Sequence, residues 1–337
     1  METSVLQIPQ GLANPERNVA YIVDAQGFIS CLNLESGQIE ARTDFPASPL
    51  TLDRGTVIGW RRTPDEPDAV RVFAATRQGN ALRPKWEASL ILPDWVEAGS
   101  ADPTRFALEG RIEDGLVFVT WEAHARYPGG APPPSGIEAA STRDERRSIR
   151  LNAETGAKVG AEQTEAAQRL TQDLPALLPN QRIVPYRSGA SWLTNSWRVG
   201  PVEAFLATTT ETPGVVLVRR DSSGAESPPE IRLTSDSAAV AAVTLDGRFI
   251  FIHEPGGEAP SWHLFSAETG ERITRLPFDP GTEGVAVVND LVLYLVVEET
   301  AMTHRRTLRC RNLRSADVMW SHLLREQARS TPPPLRP

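Results

Sequence analysis

Apolar positions along this chain gather in short runs of about four to eight residues, bounded by Gly, Asn, Asp and Pro, which is the pattern of strands and turns. One stretch shows it plainly. Ala238 to Leu245 is apolar and extended, Asp246-Gly247 makes a tight turn, Phe249 to His253 returns, Trp262 to Ser266 follows, and Arg272 to Leu276 closes a four-strand unit. The same order recurs at Val285–Val288, Leu291–Val297, Thr307–Asn312 and Val318–Leu323. It recurs again at Arg105–Ile112, Leu116–Glu122, Ser148–Asn152 and Ala157 onward, with Asp114-Gly115 as the first turn. Further units are Leu50–Asp53, Thr56–Arg61, Val70–Ala75 and Leu82–Leu90, and Trp192–Arg198, Val202–Thr208, Val215–Arg219 and Glu230–Leu233. In the first unit, Val5–Ile8 is the candidate inner strand, followed by Val19–Val23, Phe28–Leu32 and Ile39–Thr43. The first two strands of a unit are almost continuously apolar, as strands buried on both faces must be.

Three segments interrupt the pattern. Residues 127–147 begin with Pro128, Gly129, Gly130 and Pro132 to Pro134, then turn charged, and are expected to form an excursion between strands. Residues 160–190 contain a predicted helix over Glu162 to Leu174, with Ala166, Leu170 and Leu174 at helical spacing and Pro175 as the stop. Residues 326–337 end in Thr-Pro-Pro-Pro-Leu-Arg-Pro and read as a flexible proline-rich tail.

Between the third and fourth strands the chain repeats one phrase: an Asx or Ser, two or three residues, then Thr or Ser and Gly. It reads Leu32-Asn33-Leu34-Glu35-Ser36-Gly37, Leu151-Asn152-Ala153-Glu154-Thr155-Gly156 and Phe265-Ser266-Ala267-Glu268-Thr269-Gly270. A weaker copy is Arg311-Asn312-Leu313-Arg314-Ser315-Ala316, and degenerate ones fall at Phe73–Gly79 and Val218–Gly224. The short acceptor side chain suits an Asx turn, and the glycine accepts positive φ. A period of roughly 40 to 50 residues built only of short strands implies stacking of small sheets.

This phrase resembles the quinoprotein-type, or PQQ-like, β-propeller repeat, whose usual form is Asp-Ala-x-Thr-Gly followed at a short offset by Trp. Asn152 to Gly156 and Ser266 to Gly270 match its centre, and Asn312 to Trp320 keeps the tryptophan. The resemblance implies an all-β fold, a single β-propeller over residues 1–325 with six blades, and one short helical insertion. A seventh blade would have to lie between Gly156 and Ser191. Quinone-dependent dehydrogenases of the class are exported, larger, and often carry a vicinal cysteine pair. With no vicinal cysteines and no signal-like start in Met1 to Pro9, the chain is expected to be of the non-catalytic cytosolic kind.

Composition narrows the function further. A net charge of −8 over 337 residues argues against nucleic acid as the partner. No stretch approaches the roughly 20 apolar residues that cross a bilayer, so no membrane span is expected. Lysine occurs only at Lys85 and Lys158, so positive charge is almost all arginine, the signature of a GC-rich bacterial genome. Cys31 and Cys310 take equivalent places ahead of the turn phrase and are expected to be reduced, packed thiols in a cytoplasmic protein.

No catalytic pattern emerges. The five histidines (His124, His253, His263, His304, His322) make no ligand pair, although His253-Glu254 and Glu122-Ala123-His124 both end second strands. Phosphate loops and a nucleophile elbow are lacking. Arg146, Arg147 and Arg150, and Arg305, Arg306 and Arg309, read as solvated faces. The sequence therefore predicts a non-enzymatic interaction scaffold in a bacterial multiprotein assembly, a conflict or defence system being one setting, with no cofactor. The candidate partner-binding residues are Leu170, Leu174, Leu177, Leu178, Trp192 and Trp197. The alternative is a propeller enzyme or a sensor holding a small ligand in the central channel.

Overall fold

The computed structural model describes residues 5–63, 65–93, 104–126, 142–164, 181–183, 196–199, 202–209, 215–221, 231–233, 240–243, 248–253, 261–277, 282–300 and 303–328. Among them the regular structure is all β, with no helix. The chain divides into two compact units, one of residues 1–5, 10–33 and 38–171, the other of residues 6–9, 34–37 and 172–337.

Strand β1 (Leu6–Ile8) belongs to the second unit and precedes the rest of the first. In the first unit β2 (Gly11–Asn14), β3 (Val19–Val23), β4 (Phe28–Asn33) and β5 (Ile39–Pro46) form one antiparallel meander. A second comprises β6 (Ser48–Asp53), β7 (Thr56–Thr63), β8 (Glu66–Gln78) and β9 (Ala81–Ile91). The two join edge to edge where β5 and β9 meet in a parallel bridge at Arg42 and Ala81. A third comprises β10 (Thr104–Glu113), β11 (Leu116–Arg126), β12 (Thr142–Asn152) and β13 (Gln163–Thr164).

Hairpin chemistry explains where these strands turn. Arg54-Gly55 and Asp114-Gly115 both place two successive residues at positive φ (41° and 92°, 50° and 73°), the geometry that matches strand twist in a two-residue hairpin. Alternation then sends each strand's side chains to two different cores. On β8, Val70, Val72 and Ala74 join Ile58, Trp86, Val117, Val119, Trp121 and Leu151. The intervening Phe73 and Ala75 join Leu12, Tyr21, Ile29, Cys31, Val57 and Leu82. The second meander is thus packed between the first and the third, which is why its inner strands read as unbroken apolar runs.

In the second unit β14 (Gln181–Ile183) and β15 (Ser196–Val199) both pair with β16 (Val202–Thr209), which continues to β17 (Val215–Asp221) and β18 (Ile231–Arg232). Next come β19 (Val240–Val243), β20 (Phe249–His253), β21 (Ser261–Ser266) and β22 (Arg272–Pro277). The last meander is β23 (Thr282–Val288), β24 (Leu291–Glu299), β25 (Thr303–Asn312) and β26 (Val318–Ala328). Phe251, Leu264 and Leu276 pack with Val287, Val292, Tyr294 and Leu313, so these two sheets stack face to face. β1 lies beside β23.

Four copies of the phrase share one turn, closed by Asn33 N–H to Gln38 O, Asn152 N–H to Ala157 O, Ser266 N–H to Glu271 O and Asn312 N–H to Asp317 O, whereas Phe73–Gln78 of a degenerate copy belongs to strand β8. Asn152 Oδ1 accepts from the amides of Glu154 and Thr155, and Asn312 Oδ1 from those of Arg314 and Ser315. Glycines 37, 156 and 270 sit near φ 71°, and Ala316 holds the same place at φ 62° without a glycine's freedom. The next residue anchors the turn to the hairpin of its own sheet, through Ala153 N–H to Gly115 O, Ala267 N–H to Arg248 O and Leu313 N–H to Asp290 O.

A tryptophan covers two of these turns. In the first unit Trp86 of β9 donates from Nε1 to Ala153 O at 2.9 Å, and its ring lies where a Cβ on Gly156 would come within 2.6 Å of Cε3. In the second unit Trp320 of β26 donates to Leu34 O at 2.7 Å, with its ring over Gly37 and the His322 ring nitrogen on Gly37 O. Only glycine leaves room for the indole.

Four expectations change. The strand opposite β3 is β2 rather than Val5–Ile8, because Gly11 allows the Tyr21 carbonyl to approach closely. The charged end of the expected excursion, from Thr142, is the first half of β12, held by cross-strand pairing with β11 through Arg126. Gln163 and Thr164, at the start of the predicted helix, are strand β13, paired with Ser148 and Arg147; residues 165–174 lie outside the described residues. Residues 326–328, assigned to the tail, extend β26.

Candidate functional site

Every exposed large apolar residue among those described sits on the fourth strand of its meander or at the entry to it. In the first unit these are Ile39 on β5, Ile91 on β9 and Val159 just after the turn. In the second they are Ile273 on β22 and Val318 and Met319 on β26. The cause is local. After the turn phrase the chain emerges onto the last strand, and β13, β18, β22 and β26 each end a sheet among the described residues, whereas β5 and β9 meet each other at Arg42 and Ala81. A free edge with apolar side chains is a template for a further strand or an apolar partner.

The residues singled out from sequence divide unevenly. Leu170, Leu174, Leu177, Leu178 and Trp192 lie outside the described residues. Trp197 lies on β15, opposite Ala204 of β16. His124 stands opposite Arg105 and Asp144, and His253 ends β20 opposite Val240 and Trp262, the two histidines being in different units. Glu254 lies outside the described residues. Of the six arginines expected to form solvated faces, three are ion-paired: Arg146 with Glu122 at 3.7 Å, Arg147 with Glu145 and with Glu162 at 3.8 Å, Arg309 with Glu298 at 3.4 Å.

Three solved structures give the scale of the likeness. The chain is similar to the dihydro-heme d1 dehydrogenase NirN in complex with DHE at 12% identity and a TM-score of 0.35, over 96% of this chain and 67% of that one. It is similar to the AtxE2 isopeptidase in its apo form at 12% and 0.42, over 96% of this chain and 50% of the other. A crystal structure of the eukaryotic initiation factor gives 10% and 0.34, over 99% and 91%. The chain spans half the length of the isopeptidase. No protein-family model matches the chain, and the comparison with curated proteins gives no match.

Both cysteines are free thiols and buried. Burial pushes the Cys31 thiol up to about 11, with the Glu40 charge adding to it, and Cys310 up to about 12. Folding therefore holds these protons more tightly than the unfolded chain, where a thiol titrates near about 8.5. Their stabilising contribution is complete below that pH and declines as the pH rises toward 11 and 12. We expect native protein at pH 8 to resist thiol-disulfide exchange reagents. Denatured without reductant, it should release both thiols. Rapid labelling of the native state, or fewer than two thiols after denaturation, would contradict the assignment.

Proposed function

We propose that this chain is a PQQ-like propeller of six blades that acts as a non-enzymatic protein-interaction scaffold in a bacterial multiprotein assembly. The observation that carries the reading is the exposure of Ile273, Val318 and Met319 on β22 and β26, each the last strand of its sheet among the described residues, where a partner can add by strand pairing or apolar docking. The six-blade count draws support from Trp320, which docks on the turn of the first repeat as Trp86 docks on the turn of the third. A cytoplasmic setting, a defence system among the candidates, belongs to the same proposal. So does a contribution from the leucines at 170, 174, 177 and 178 and from Trp192 and Trp197.

The test is capture from the native host with tagged protein at low salt, followed by mass spectrometry, beside a variant carrying Ile273→Asp, Val318→Asp and Met319→Asp. The expected result is a stoichiometric protein that the wild type retains and the triple variant loses, at a melting temperature unchanged within about 2 °C, as for exposed substitutions. Equal capture by both would remove the fourth strands from the proposal. A copurifying quinone or metal, with turnover abolished by His253→Ala, would replace the scaffold by an enzyme.

A further inference from the structure

At one end of the first unit's larger core, arginine and aromatic side chains alternate in a ladder. Trp60 and Arg62 project from the same face of β7, two residues apart. The Arg62 guanidinium carbon lies 5.2 Å from the Phe106 ring centre and 5.7 Å from that of Trp60. Phe106 meets Trp60 edge-on at 6.3 Å and stacks on Trp121 at 6.4 Å, and Arg147 closes the ladder 5.7 Å from Trp121.

Part of the ladder's hydrogen-bonding capacity is unused. Arg62 Nε, Thr63 Oγ1, Trp121 Nε1 and Arg147 Nε are all sealed from solvent without a partner, and Trp121 is wholly buried. Such groups ordinarily find partners, and each one left unmet costs free energy. Arg147 has its charge balanced by Glu145 and Glu162. The neighbouring Arg61 and Arg71 are paired with Glu87 and Glu66. Arg62 has no carboxylate among the described residues, and partial burial lowers its affinity for its proton. Among the described residues this planar cation has no carboxylate, lies against the rings of Trp60 and Phe106, and is linked through Phe106 to Trp121, whose indole N–H is buried and unpartnered.

We propose that Arg62, with Trp60, Phe106 and Trp121, forms a subsite for a carboxylate attached to a flat apolar group. A carboxylate matches the single unbalanced charge and the planar fork of the guanidinium, whereas a dianionic phosphate would bring one charge more than the site balances. The aromatic faces suit a ring or a short side chain next to the acid. The carboxylate can come from a free acid or from an acidic side chain of a partner protein.

The probes are sodium benzoate, neutral benzamide, sodium phosphate, and a capped Gly-Asp-Gly peptide beside its Gly-Asn-Gly counterpart. Each is titrated into the full chain while the indole N–H signals of its eight tryptophans are followed by NMR, Trp121 being assigned with Trp121→Phe. Benzoate should shift the Trp60 and Trp121 signals saturably, and benzamide should leave them in place. Arg62→Gln should weaken benzoate by about tenfold or more, the worth of a charge-assisted pair, and Arg62→Lys should recover part of it. Tighter binding of benzoate than of the Asp peptide identifies a small acid as the source, and the reverse identifies a protein side chain. The proposal is overturned if benzoate shifts neither signal, if Arg62→Gln binds as well as wild type, or if phosphate binds as tightly as benzoate. Should Arg62→Gln fail to fold, Arg62→Lys and Trp121→Phe carry the test by calorimetry, and undiminished benzoate binding in both overturns it.

Discussion

Gly37→Val is expected to destabilise the protein by about 3–5 kcal/mol, at the upper end for a single substitution. Two costs add. Gly37 has φ 71°, where a β-branched residue is strained by at least about 1–2 kcal/mol. Its new Cβ would also lie 2.6 Å from Trp320 Cβ and 2.9 Å from Cδ1, so the indole must leave and the Nε1 bond to Leu34 O breaks. Trp320→Ala removes the same ring and bond and should cost about 3–5 kcal/mol on its own. The two must not add. With the ring gone but the Cβ at 320 kept, valine at 37 still meets that Cβ at 2.6 Å besides the backbone strain, so the double variant should exceed Trp320→Ala by clearly less than Gly37→Val costs in the wild type. Urea unfolding followed by circular dichroism reads all three. A full additional loss in the double variant would mean that the glycine is there for φ alone and the tryptophan does not dock on it.

Phe73→Ala should be comparably damaging, at about 3–5 kcal/mol for a large aromatic removed from a close-packed interior. Phe73 is fully buried, meets Phe45 edge-on at 5.1 Å, and fills the space that Gly59 leaves open on the neighbouring strand. A Cβ on Gly59 would fall 2.7 Å from Phe73 Cζ and 2.9 Å from Ile29 Cδ1. Gly59 is not in the left-handed region, so its substitution reports packing and not backbone strain. Gly59→Ala in the wild type should therefore cost about 1–3 kcal/mol by overpacking. In the Phe73→Ala background the same methyl enters a void, and its effect should reverse sign. Melting temperatures of the four proteins decide it. A loss of the same size in both backgrounds would show that the two residues do not share that space.

What sequence reading recovered here was local. The strands of the second meander, the Asp114-Gly115 hairpin and the turn phrase at Asn152 and Asn312 all stand where alternation and turn chemistry place them. The misses have physical causes. Strand β2, Gly-Leu-Ala-Asn, lacks branched and aromatic residues, and only the Tyr21 carbonyl opposite explains its glycine. The first half of β12 looks like a solvated excursion because its charges are matched on neighbouring strands, as Arg146 is by Glu122 and Arg147 by Glu162. The Arg62 ladder carried no sequence signal beyond its aromatic and basic residues, since Trp60 and Phe106 come from strands that nothing local brings together.

The amino-acid sequence alone determined most of the strands and turns and the all-β class, because these follow from side-chain alternation and from backbone preferences within a few residues. Which ring covers which glycine was decided only in three dimensions. Trp86 reaches Ala153 across 67 positions and Trp320 reaches Leu34 across 286. The same holds for the charge on Arg62. An arginine's partner is set by which strands pack around it, and neighbouring Arg61 finds Glu87 across the meander while Arg62 is turned among aromatic rings. Local rules choose the elements. Arg62, without a carboxylate among the described residues, lies where the elements meet.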